Sequence, residues 1–175
     1  MVASGPGASY YVGLEGSLLF LQRNNTLELR DAADGSLQAS IPDPGTTRWG
    51  IAKDGSYAWS AGAGGIWAWS PQGTQIFFAP GNYSAAVVYA APDELRVANG
   101  AAGSDRIEIL PLDGSPATLS APFAQVFSKW TQDGERFFAY VGPFVWFYAK
   151  DATLVAFLNL ATHNNLGGVG DLVWS

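Results

Sequence analysis

One histidine stands in this chain, His163, within Ala161-Thr162-His163-Asn164-Asn165. A serine–histidine–aspartate mechanism would have to run through it, since the imidazole is the base that takes the nucleophile's proton. A histidine-based metal site would have only this one ring to draw on. Its polar neighbours describe a solvated loop between structural units, the ordinary place for such a side chain. There is no cysteine, so thiol catalysis, disulfides and cysteine–zinc sites are excluded. The candidate carboxylate pairs are Asp93 with Glu94, Asp105 with Glu108, and Asp133 with Glu135. Glycoside hydrolysis needs two carboxyls about 5 to 9.5 Å apart in one cleft. These pairs fall at or beside turns, where solvation is the expected state. No loop of alternating acidic residues suited to calcium is present. The sequence therefore assigns no catalytic residue, no metal ligand and no cofactor.

Aromatic residues are the other candidates. Seven tryptophans would suit sugar stacking or a quinone clamp. Trp59, Trp67, Trp69, Trp130 and Trp146 all fall inside predicted strands, and packing between sheets is the simpler use of so much ring area. Asn24-Asn25-Thr26 and Asn82-Tyr83-Ser84 fit the three-residue acceptor pattern for N-glycosylation. The nine Lys and Arg are scattered singly in a chain of net charge −6, which speaks against a nucleic-acid groove.

The elements that must position these residues repeat. Ile51-Ala52-Lys53-Asp54-Gly55-Ser56-Tyr57-Ala58-Trp59 and Trp130-Thr131-Gln132-Asp133-Gly134-Glu135-Arg136-Phe137-Phe138 share one figure: apolar strand, Asp-Gly turn, apolar strand. Weaker copies surround Glu15, Asp93 and Asp171. The five acidic turn residues Glu15, Asp54, Asp93, Asp133 and Asp171 are spaced by 39, 39, 40 and 38. A second register runs through Leu27-Glu28-Leu29-Arg30, Ile66-Trp67-Ala68-Trp69, Ile107-Glu108-Ile109-Leu110 and Val145-Trp146-Phe147-Tyr148, whose first residues lie 39, 41 and 38 apart. Turns follow at Asp34-Gly35, Gln72-Gly73, Asp113-Gly114 and Asp151-Ala152, and an outer strand follows each. A fixed period near 40 with turn residues in phase marks a repeated supersecondary unit. Each period holds short β-rich runs and no helical periodicity.

These spacings predict units at about 10–41, 48–79, 85–121 and 126–160, with the start of a fifth at 161–175. A loop is expected over Asn99 to Asp105, and Pro42-Asp43-Pro44-Gly45 is expected as a linker. Strands such as Ile66-Trp67-Ala68-Trp69 are apolar on both faces, as when sheets stack face to face. An eight-stranded outer-membrane barrel is the rival fold. Its strands would run about ten residues with apolar-out, polar-in alternation, whereas these runs are about five residues and doubly apolar.

Residues 127–139, Phe-Ser-Lys-Trp-Thr-Gln-Asp-Gly-Glu-Arg-Phe-Phe-Ala, resemble the strand–Asp-Gly–strand signature of WD-repeat and TolB-like propellers. Residues 27–37, Leu-Glu-Leu-Arg-Asp-Ala-Ala-Asp-Gly-Ser-Leu, are similar to the Trp-Asp-x-x-x-Gly end of such blades, although no Trp-Asp dipeptide occurs and Arg30-Asp31 is the nearest. The resemblance implies an all-β fold, a partial or fragmentary β-propeller of four-stranded antiparallel blades of about 40 residues. It also implies a non-enzymatic module for protein binding or scaffolding, part of a longer propeller or completed by a partner chain. The alternatives are a fragment of a propeller hydrolase or quinoprotein whose catalytic residues lie elsewhere, and a carbohydrate-binding module.

In a propeller the loops joining units share one face, and the binding residues expected there are Arg48, Tyr83, Asp105 and His163. A protein partner or self-association is expected, with no nucleic acid. The longest uncharged apolar run, Phe137 to Ala149, is 13 residues, against roughly 20 for a spanning helix. No signal peptide is read at Met1 to Gly7, and the compartment stays open.

Overall fold

The computed structural model describes residues 11–23, 25–101, 103–120, 127–131, 133–141 and 143–159. The expected fifth unit at 161–175, and His163 with it, lies outside them. Four four-stranded sheets follow one another, each with its strands in chain order. The first is β1 (Tyr11–Glu15), β2 (Leu18–Arg23), β3 (Thr26–Asp31) and β4 (Leu37–Pro42). The second is β5 (Thr46–Ile51), β6 (Ala58–Gly62), β7 (Gly65–Trp69) and β8 (Gln75–Pro80). The third is β9 (Val87–Ala90), β10 (Glu94–Gly100), β11 (Gly103–Pro111) and β12 (Thr118–Leu119). The fourth is β13 (Phe127–Trp130), β14 (Arg136–Val141), β15 (Phe144–Ala149) and β16 (Leu154–Asn159). Neighbouring strands pair antiparallel. Among the described residues no helix is long and apolar enough to cross a membrane.

Local chemistry explains the hairpins. In the turn after β5, the Gly55 N–H donates to the Ala52 carbonyl and the Ala52 N–H to the Tyr57 carbonyl. In the turn after β13, Gly134 donates to Thr131 and Thr131 to Arg136 in the same pattern. The two glycines sit at φ 76° and 70°, the left-handed region that favours a residue without Cβ. The preceding aspartates brace the turns. Asp54 Oδ1 accepts from the Ser56 N–H and hydroxyl, and Asp133 Oδ1 from the Glu135 N–H and the Thr131 hydroxyl. Turns before the outer strands use the same device through Asp34, Asp113 and Asp151.

The chain divides into two compact units, residues 1–85 with 90–93 and residues 86–89 with 94–175. In the first, Leu18, Phe20, Leu27 and Leu29 of the first sheet pack with Ala58 and Trp69 of the second, flanked by Trp49, Ile51 and Trp67. Strand β3 shows why: Leu27 and Leu29 are fully buried while Thr26, Glu28 and Arg30 between them are only half-buried. Strand β7, expected to be apolar on both faces, is buried at every position but Trp67, which is half-buried; β15, apolar in the same way, is buried only at Val145 and Tyr148. In the second unit Trp130, Phe137, Ala139 and Tyr148 of the fourth sheet pack with Ala98, Ile107 and Ile109 of the third. The Trp130 and Phe137 rings stand 4.8 Å apart and tilted, an arrangement the ring quadrupoles favour.

Three local expectations are corrected. The loop expected over Asn99 to Asp105 is a tight hairpin end: Gly100 pairs with Gly103, and Asn99 takes φ 58° at a register shift. Asp105 therefore belongs to strand β11. The outer strand expected at 117–121 is only two residues, because Pro116 before it has no N–H to give the ladder. Pro42, expected in a linker, closes β4 instead, at a sheet edge where its missing donor costs nothing.

Candidate functional site

Asp43 organises one end of the first unit. Its Oδ1 accepts from the Gly45 N–H at 3.0 Å, the Thr46 N–H at 2.9 Å and the Thr46 hydroxyl at 2.8 Å. Its Oδ2 accepts from the Gln22 amide at 2.5 Å, and its own N–H donates to the Asn25 carbonyl. One carboxylate thus fixes the β4–β5 loop against the β2–β3 turn. Charge-assisted bonds of this kind are the stronger ones.

Two further loops meet this one. A Cβ on Gly62 would lie 2.6 Å from the Gly45 carbonyl oxygen, so the β6–β7 hairpin touches the β4–β5 loop backbone to backbone. The Tyr83 N–H donates to the Gly62 carbonyl, and the Thr47 hydroxyl donates to the Ser84 carbonyl. Asn82 caps its own loop by accepting from the Ser84 N–H. Segments 43–48, 62–65 and 81–84 therefore form one rigid loop cluster. Arg48 is exposed on it. Tyr83 is not: it is 2% exposed and buried in the packing beneath. The reading of Tyr83 as a surface contact does not fit that burial. Asp105 lies in β11, and His163 is outside the described residues. The structure thus brings Arg48 and the Tyr83 loop together.

The second unit uses buried polar side chains to grip a turn. Arg96, 7% exposed, donates from Nη1 to the Gly134 carbonyl at 2.5 Å and from Nε to Glu94 Oε1 at 2.6 Å. The Tyr89 hydroxyl donates to the Asp133 carbonyl, and the Arg96 guanidinium lies 5.5 Å from the Tyr89 ring centre. Burial pushes the Tyr89 hydroxyl up from its ordinary value; Arg96 opposes this, and Asp133 and Glu135 add to it. In the first unit the Tyr57 hydroxyl similarly donates to the Ala91 carbonyl at 2.6 Å.

This geometry settles most of the carboxylate pairs. Glu94 holds Arg96, Asp133 braces its turn, and Glu135 pairs with Lys150 at 3.0 Å on the surface. Glu108, expected to be solvated, is 4% exposed inside β11, where its strand is covered on both faces. Among the described residues no group of three His, Cys, Asp or Glu side chains is placed to hold a metal ion. Sequence reasoning missed Arg96, Tyr89 and Asp43. The signal for Arg96 was an arginine in the apolar run Leu95-Arg96-Val97; Asp43 and Tyr89 gave none. A small apolar hollow of about 170 Å³ is lined by Thr131, Arg136, Phe137, Phe138 and Phe147, below the few hundred Å³ of an ordinary ligand site.

No family model matches the sequence, and no curated protein matches it. Solved structures do. Hsv2 of Kluyveromyces lactis is similar over 91% of this chain at 11% identity, with a TM-score of 0.69, and 53% of that chain is covered. The β-propeller domain of Cps50 (Swd1) of Myceliophteria thermophila is similar over 91% at 14% identity, TM-score 0.58, with 57% of that chain covered. Dihydro-heme d1 dehydrogenase NirN is similar over 88% at 14% identity, TM-score 0.63, with 37% of that chain covered. The chain spans little more than half, or less, of each of these structures. At such identities the likeness concerns the fold. The fold is all-β, a partial β-propeller of four-stranded antiparallel blades.

Proposed function

We propose that this chain is a non-enzymatic propeller module that binds a protein partner through its loop face, its blades being part of a larger ring. The observation that carries the reading is the locked loop cluster of the first unit. Asp43 and the 62–84 hydrogen bonds hold those loops rigid, and Arg48 stands exposed upon them. Loops on a fixed scaffold are the usual place for recognition, since little ordering entropy remains to oppose binding. The ring is read as larger because matched propellers extend well beyond the aligned portion. Its remaining sheets come from more of the same protein or from another chain.

The test is affinity capture by the immobilised chain, comparing wild type with Arg48→Glu and with Asp113→Asn in the exposed turn before β12. A reproducible partner is expected whose recovery falls about tenfold with Arg48→Glu, the effect of losing one good charged contact, and is unchanged with Asp113→Asn. Equal recovery by all three overturns the reading. The similarity to the dehydrogenase favours a second reading, a segment of a propeller enzyme whose catalytic residues lie elsewhere; in that case capture is indifferent to Arg48.

A further inference from the structure

The outer strands of the four sheets are not alike. Strand β4 ends on Pro42 and β8 on Pro80, while β12 is two residues long and lies between Pro116 and Pro122. Proline and brevity are the usual means of keeping a sheet edge from adding a foreign strand. Strand β16 has neither. Thr153-Leu154-Val155-Ala156-Phe157-Leu158-Asn159 contains no proline, glycine or charge, and every residue of the strand is exposed. Leu154, Val155, Phe157 and Leu158 are 51%, 54%, 50% and 46% exposed. The register shift that breaks its ladder with β15 does not set it apart, since the first and second sheets carry the same shift. The strand is also stiffened: the Phe157 ring lies 5.9 Å from Phe144 and 5.4 Å from Trp146.

We infer that β16 is an association edge at which two copies of this chain pair antiparallel about a two-fold axis through Ala156. The inference rests on the module's reading as a binding protein and names one surface and one partner for it. A two-fold axis normal to the sheet requires opposed residues of equal parity. With Ala156 on the axis, Leu154 faces Leu158 of the other copy and Val155 faces Phe157. Every opposed pair from Leu154 to Leu158 is apolar, Thr153 and Asn159 meet at the ends, the smallest side chain sits where the strand meets itself, and no like charges meet although each chain carries −6. An isologous pairing uses up both edges and closes. The contact is short, so its affinity falls at the weak end, roughly micromolar to sub-millimolar.

Sedimentation equilibrium of the whole chain from about 5 to 500 µM, a range chosen around that affinity, tests this. Wild type is expected to rise from 18.5 kDa toward twice that mass. Leu154→Lys and Leu158→Glu, each alone, are expected to stay near 18.5 kDa. Mixed in equal amounts they are expected to associate again, because Lys at 154 then faces Glu at 158 across the axis. Val155→Lys replaces either variant whose circular dichroism is not native, and is also expected to stay monomeric. A wild type that remains monomeric, variants that still dimerise, or a mixture that does not associate each overturn the inference. Partner capture dependent on Arg48 survives all of those results, so the two readings fail separately.

Discussion

The turns at 52–57 and 131–136 are near-copies with different surroundings. Both carry the same backbone hydrogen bonds, a left-handed glycine and a bracing aspartate. The first meets only backbone: the Asp54–Gly55 main chain lies 3.3 to 3.8 Å from where a Cβ on Gly16 would reach. The second is clamped: Tyr89 and Arg96 bond its carbonyls, and a Cβ on Gly134 would run into the Tyr89 ring. Repetition of sequence fixes the shape of a turn, and the neighbouring side chains decide how much a change in it costs.

The largest expected effect tests that clamp. Gly134→Ala forces a left-handed alanine and drives its methyl into the Tyr89 ring, so it should lose about 3 kcal/mol, the sum of backbone strain and overpacking. Gly114→Ala meets only the strain, since nothing lies within 4 Å of its Cβ, and should lose about 1 kcal/mol. Urea unfolding of both variants measures the difference; equal losses would show that the Tyr89 ring yields freely.

A smaller effect separates the two tyrosines that tie turns down. Tyr57 is 1% exposed and its hydroxyl bond to Ala91 is buried, so Tyr57→Phe strands a buried carbonyl and should cost about 2 kcal/mol. Tyr89 is half-buried and water can replace its hydroxyl, so Tyr89→Phe should cost about 0.5 to 1 kcal/mol. Thermal melts that reverse this order would show that Tyr89 carries more of its turn than its exposure implies.

The smallest effect is pH dependence at the exposed turns. The Ser56 hydroxyl, and then its N–H, holds the Asp54 carboxyl below the usual carboxylate range. The N–H groups of Ser36, Ser115 and Thr153 do the same for Asp34, Asp113 and Asp151. A depressed folded pKa contributes stability above the unfolded value, about 3.9, and that contribution is lost as pH falls through the folded pKa. Stability should therefore decline below about pH 4, and Ser56→Ala should move the Asp54 carboxyl signal in an NMR titration upward. An unmoved signal would mean that the Ser56 hydroxyl is not the dominant partner.

Much of the architecture was legible before any coordinates. The Asp-Gly period placed the hairpins because Asp and Gly answer purely local needs, a carboxylate to cap N–H groups and a residue free to take positive φ. The doubly apolar β7 was nearly as plain, all but Trp67 being buried. The candidate site was far less so. Arg48 is exposed as its loop position implied, but Tyr83 turned inward, since an aromatic in a loop reads the same whether it faces water or a core. Asp105 joined a strand because Asn99 and the glycines at 100 and 103 made a shorter turn than their number implied.

By itself, then, the sequence determined where the strands and turns lie, because those depend on residues within a few positions of one another. Only the tertiary structure decided which polar groups are buried and what they hold. Arg96 reaching Gly134, Tyr57 reaching Ala91 and Gln22 reaching Asp43 are contacts between residues 38, 34 and 21 positions apart. Their energies depend on distance and burial in space, which no local pattern of residue types records.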